Sequence, residues 1–74
     1  MRWSVIRSEW DRDHWEETEV LSGEGDFYDI ERELATEGWW LSGEDPEQDG
    51  NGDWHIPVSS DEGDDLTLVT DERL

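Results

Sequence analysis

The chain of 74 residues contains no cysteine, no lysine and no long apolar run. The absence of cysteine excludes a disulfide framework and a thiolate metal cage. Five arginines scattered along the chain cannot form the cationic cluster that binds a nucleic-acid backbone. No segment is long and apolar enough to span a bilayer, and the N-terminal residues lack the apolar region of a signal peptide. We therefore expect a soluble, cytoplasmic protein with no direct contact to nucleic acid or membrane.

Negative charge dominates the composition. The chain has 23 aspartates and glutamates, and its formal net charge is -18. Such a charge destabilises a compact state by self-repulsion, and together with a low hydrophobic content it is typical of disordered chains. Tryptophan counters this tendency, because each large ring can bury much area at a low entropic cost. We expect a single domain over residues 1–74 with most of its six tryptophans in the core: Trp3, Trp10, Trp15, Trp39, Trp40 and Trp54.

The first third of the chain shows the alternation of a β-hairpin. Residues 2–8 predict a strand with Trp3 and Val5 on one face, and residues 14–21 predict a second strand. A short polar turn at residues 11–13 separates them, so antiparallel pairing is the simplest arrangement.

A helix is predicted over residues 27–37. Asp26 is a good N-cap residue, Asp29 stands three positions later as in a capping box, and Gly38 suits the position after the last turn. Apolar residues recur at helical spacing within the segment: Phe27, Ile30 and Leu34.

Three shorter strands are predicted in the second half, at residues 39–41, 54–58 and 66–70. The polar segments between them, residues 43–53 and 59–65, are expected to be mobile loops. The sequence therefore predicts an α+β fold: a small, mainly antiparallel β-sheet in the order ββαβββ, with one helix packed on one face.

The loop from Asp49 to Asp53 matches the first three ligand positions of a calcium loop, with Asn51 between them. Such a loop also needs a glycine at its sixth position and a bidentate glutamate at its twelfth, and these are Trp54 and Ser60 here. Turn geometry is the better interpretation of these residues, and calcium binding stays an open alternative.

Catalysis finds little support in the sequence. His14 and His55 are the only histidines, and two separated histidines with abundant carboxylates do not define a zinc site. The chain has no phosphate-binding glycine loop and no nucleophile motif, and a domain of this size has little room for a substrate pocket. We expect a binding protein that is not an enzyme and has no metal or cofactor.

One explanation of the charge is mimicry of DNA. Duplex DNA carries one charge per about 1.7 Å, so -18 corresponds to roughly 30 Å of duplex. A folded domain of this length is also about 30 Å across. In composition and size the chain resembles phage-encoded DNA-mimic inhibitors, including anti-CRISPR and anti-restriction proteins. This resemblance rests on no motif, and it implies a basic nucleic-acid-binding protein as the partner: a nuclease, a CRISPR effector or a repressor.

The candidate contact residues for such a partner lie in the three densest acidic runs. They are Glu16, Glu17 and Glu19; Glu44, Asp45, Glu47 and Asp49; and Asp61, Glu62, Asp64 and Asp65. Trp40 or Trp54 could add an apolar anchor.

Salt adaptation is the alternative explanation. The many acidic residues, the missing lysine and the few large aliphatic residues are also typical of proteins from halophiles that accumulate salt. In molar salt the screening length falls to about 3 Å, and an acidic coat then maintains solubility. The protein-binding role of the domain would in that case be unrelated to its charge.

Overall fold

The computed structural model describes residues 1–74 as one antiparallel sheet and one helix. The elements are β1 (Arg2–Asp11), β2 (His14–Glu24), α1 (Phe27–Thr36), β3 (Trp39–Leu41), β4 (Glu47–Gln48), β5 (Trp54–Ser60) and β6 (Leu66–Thr70). The strand order is β2-β1-β6-β5-β3, and β4 also pairs with β5. The predicted α+β fold is confirmed. The two-residue β4, inside a segment predicted as loop, is the one strand that the sequence did not indicate.

The β1–β2 hairpin is longer than its sequence pattern indicated. β1 pairs with β6 only from Trp3 to Arg7, whereas its pairing with β2 continues to Asp11. The register shifts where Val5 pairs with Leu21 and the next residue of β1 pairs with Glu19, which leaves one extra residue in β2. Such a bulge bends the strand and increases its twist.

The helix forms as its local sequence predicts. The carboxylate of Asp26 accepts a hydrogen bond from the backbone N–H of Asp29, and the Asp29 side chain accepts one from the N–H of Asp26. This reciprocal pair satisfies two N–H groups of the first turn. The hydrogen bond from the Asp29 N–H is also the main cause that lowers the pKa of Asp26. Gly38 follows the helix with φ 78°, a conformation that glycine adopts without steric cost.

The core lies between one face of the sheet and α1. It is built from Trp3, Val5, Ile30, Leu34, Ile56, Val58, Leu66 and Leu68. The predicted inward alternation of β6 is confirmed, because Leu66, Leu68 and Thr70 are all buried. We call this side the helix face and the opposite side the open face. The only helix has ten residues and is neither long nor apolar enough to cross a membrane.

The expectation that most tryptophans fill the core is wrong, because Trp3 alone is buried. Trp10 and Trp15 lie where the hairpin extends beyond β6, so no layer covers them. Trp40 pairs with Ser59 on the open face and is half exposed. Aliphatic side chains therefore make up seven of the eight core residues.

Candidate functional site

The acidic side chains lie at the surface of the molecule. Of the 23 carboxylate residues, 19 are exposed and none is buried. Most of the positive charge is held in local contacts. Arg2 pairs with Glu24, Arg32 pairs with Asp29, and Arg73 lies over the ring of Trp54. The outward field is therefore negative, with few cations free to oppose it.

A projecting hairpin end carries the first acidic run. Residues 9–16, here called the arm, pair only across the hairpin, and all eight are exposed. Glu16 lies in the arm, and Glu17 and Glu19 follow it along β2, the edge strand of the sheet. Glu17 pairs with Ser8. Because partners across a sheet share a face, Glu17 and Glu19 both lie on the open face.

The third acidic run, residues 61–65, meets the base of the arm. The backbone N–H of Ser8 donates to the carbonyl oxygen of Asp65 over 2.9 Å. Asp64 is half-buried, and its Oδ2 lies 3.8 Å from Nη2 of Arg7. Asp65 thus contacts the residue opposite Glu17, so the fold brings the first and third runs together.

The second acidic run lies at the other edge of the sheet. Glu44, Asp45, Glu47 and Asp49 line an open groove of about 750 Å³ beside β4 and β5. Four strand separations of about 4.8 Å place β4 roughly 19 Å from β2. The structure therefore separates this run from the other two.

The Asp49 carboxylate makes hydrogen bonds to the backbone of its own loop and to His55. Its Oδ1 accepts hydrogen bonds from the backbone N–H groups of Asn51 and Asp53, and its Oδ2 lies 2.7 Å from Nε2 of His55. These contacts, the one to His55 foremost, lower the pKa of Asp49. Both carboxylate oxygens thus fix the turn between β4 and β5, in keeping with the turn-geometry interpretation of this loop.

His14 lies among carboxylates at the tip of the arm. Its Nε2 is 2.9 Å from Oε1 of Glu16 and its Nδ1 is 3.4 Å from Oδ1 of Asp13, and these contacts raise the pKa of His14. Ligand atoms of Asp11, His14 and Glu16 lie within 4.8 Å of one another. All three side chains are exposed, and a histidine between two carboxylates accounts for the geometry. We assign no metal to it.

The exposed pair of Trp10 and Trp15 is the feature that the sequence interpretation missed. Trp10 is 65% and Trp15 50% exposed, and their ring centroids lie 6.1 Å apart at an interplanar angle of 47°. Trp40, one of the two predicted anchors, is 49% exposed, whereas Trp54 is partly covered by Arg73. Trp10 and Trp15 stand close together in the sequence, on either side of a two-residue turn. This spacing was the signal from which their cross-strand pairing could have been predicted.

No protein-family model, curated protein or solved structure matches this chain.

Proposed function

We propose that this protein is a DNA mimic that occupies the basic nucleic-acid-binding surface of a partner protein and thereby inhibits it. The partner class is a nuclease, a CRISPR effector or a repressor. The observation that carries the proposal is the match between charge and size. The molecule measures 37 × 30 × 21 Å and carries -18, the charge of roughly 30 Å of duplex at one charge per about 1.7 Å.

The placement of the carboxylates supports the proposal. Glu17 and Glu19 lie two residues apart on the open face of β2, a separation of about 7 Å along the strand. Glu47 pairs with His55 on the same face at the opposite edge. A strip around Ile6, with little charge, lies between these two edges. Two anionic edges with a neutral strip between them resemble the two phosphate strands of a duplex. A cationic groove that binds DNA can therefore bind them in the same way.

A competition assay tests the proposal. A fluorescent duplex of about 20 base pairs is bound separately to a Cas9-type effector, a type I restriction enzyme and a helix-turn-helix repressor. The protein should displace the duplex from at least one of them, and displacement should weaken steeply between about 50 mM and about 200 mM salt. Glu17→Arg, a charge reversal in one acidic run, should reduce displacement. Failure to displace DNA from any of the three would overturn the proposal.

Salt adaptation is the second candidate function of the charge, and the distribution of carboxylates on the helix favours it. Glu31 and Glu33 on α1 and Glu37 at its C-cap are exposed, away from the open face. An acidic coat that covers every side is what solubility in concentrated salt requires. This candidate predicts unfolding in dilute buffer and refolding in molar KCl, followed by circular dichroism. A cooperative native fold at low salt would contradict it.

A further inference from the structure

The arm is a two-stranded ribbon with different chemistry on its two sides. Trp10 and Trp15 are direct cross-strand partners and share the open-face side. Glu9 and Glu16 are partners on the other side, where Asp11 and His14 pair at the tip. No third strand and no helix covers either side, because β6 ends its pairing with β1 at Arg7. The tryptophan side is thus a sheet face without a partner in this chain.

The tryptophan side has the composition of an interface core. Tryptophan is enriched among the residues that dominate binding energy, and such residues are anchored in pockets of the partner. Here the indole N–H of Trp10 donates to the carbonyl oxygen of Arg12 over 3.1 Å. The contact between the rings and this hydrogen bond hold Trp10 in position before any partner arrives, which reduces the entropy lost on binding.

The opposite side carries two like charges that destabilise the hairpin. Glu9 lies directly opposite Glu16, and like charges at such positions destabilise a sheet. Glu16 is near His14, but Glu9 has no ion pair or side-chain hydrogen bond. Arg12, the only arginine of the arm, makes no ion pair either. An uncompensated carboxylate on a projecting ribbon is complementary to a cation that another protein supplies.

We propose that the arm is the element that enters the basic groove of the partner, with the tryptophan pair seated against its wall and the Glu9 side facing its arginine or lysine side chains. This inference rests on the proposed function, and the binding surface that it assigns to the arm is a cationic groove of another protein. It makes the arm the principal contact and gives the acidic groove beside β4 a secondary role.

Charge-matched double variants test the carboxylate side. Glu9→Gln with Asp11→Asn removes two charges from the arm, and Glu31→Gln with Glu33→Gln removes two from α1, which packs beside β3. In the DNA competition assay the arm variant should need about tenfold more protein for half-displacement, and the helix variant less than about threefold. The melting temperature of the arm variant should not fall, since the change removes repulsion between neighbouring carboxylates.

Aromatic side chains of similar exposure test the aromatic side. Trp15 is 50% exposed and Phe27, at the start of α1, is 44% exposed, so Trp15→Leu and Phe27→Leu remove comparably accessible rings. Only Trp15→Leu should weaken displacement by about tenfold or more. Equal losses for the arm and control variants in both pairs would overturn the role of the arm while leaving DNA mimicry intact. Failure of the unaltered protein to displace DNA would instead reject the proposed function, and this inference with it.

Discussion

Gly23→Ala should destabilise the protein through one close contact in the core. Gly23 in β2 pairs with Trp3 in β1, and the indole ring lies over it. A Cβ added at this position would stand 2.8 Å from Cζ2 and 3.1 Å from Cε2 of Trp3. The ring cannot easily move aside, because only 4% of Trp3 is exposed and it packs in the same cluster as Val5 and Leu68.

Two opposing effects set the size of the loss. Overpacking a filled core costs typically about 1–3 kcal/mol, and replacing glycine by alanine returns about 0.4–1 kcal/mol by restricting the unfolded chain. The net decrease in the free energy of unfolding should be about 1–2 kcal/mol. For a domain of this size that corresponds to a melting temperature lower by roughly 4–16 °C.

The loop glycine Gly50 provides the matched control. A Cβ there would meet no atom within 4 Å, so Gly50→Ala should leave stability unchanged or raise it slightly. Urea unfolding followed by circular dichroism and tryptophan fluorescence measures both variants. Combining Gly23→Ala with Trp3→Phe replaces the indole by a smaller ring and removes the atoms Cζ2 and Cε2 that would clash, so the double variant should be more stable than the sum of the single changes predicts. Equal stability of the Gly23 and Gly50 variants would refute the reasoning.

Three further predictions concern the core, the arm and the net charge. Leu68→Ala should lower the free energy of unfolding by about 2–5 kcal/mol in urea titrations, because this side chain has no exposed area. His14→Gln should flatten the dependence of melting temperature on pH near neutrality. The contacts of His14 with Glu16 and Asp13 raise its pKa above 6.5, so they stabilise fully below that pH and the stabilisation is lost as pH rises through the folded value. An unchanged pH profile would contradict this role. Finally, the melting temperature should rise between about 0.01 M and about 1 M NaCl, because the screening length falls from about 30 Å to about 3 Å and self-repulsion weakens; a flat or falling curve would count against it.

Local signals in the sequence were sufficient to predict the helix and every strand except β4. The capping box of Asp26 and Asp29 acts within four residues, so the helix start could be predicted without knowledge of the fold. The alternation of Leu66 and Leu68 likewise identified the buried face of β6. β4 could not be predicted, because a two-residue strand exists only through its pairing with β5.

Burial of tryptophan and the grouping of the acidic runs were decided by tertiary structure. Trp10 and Trp15 continue a strand pattern, and they are exposed because β6 is shorter than the hairpin beside it. The sheet order places β6 next to β1, which brings residues 61–65 to the arm, and places β4 at the far edge with residues 44–49.

The sequence by itself determined the charge, the helix, five of the six strands and the α+β class, because these depend on composition and on residues close along the chain. The tertiary structure alone decided which carboxylates are neighbours and which tryptophans face solvent. The physical reason is that these depend on how far paired strands overlap, a property of contacts between residues distant in the sequence.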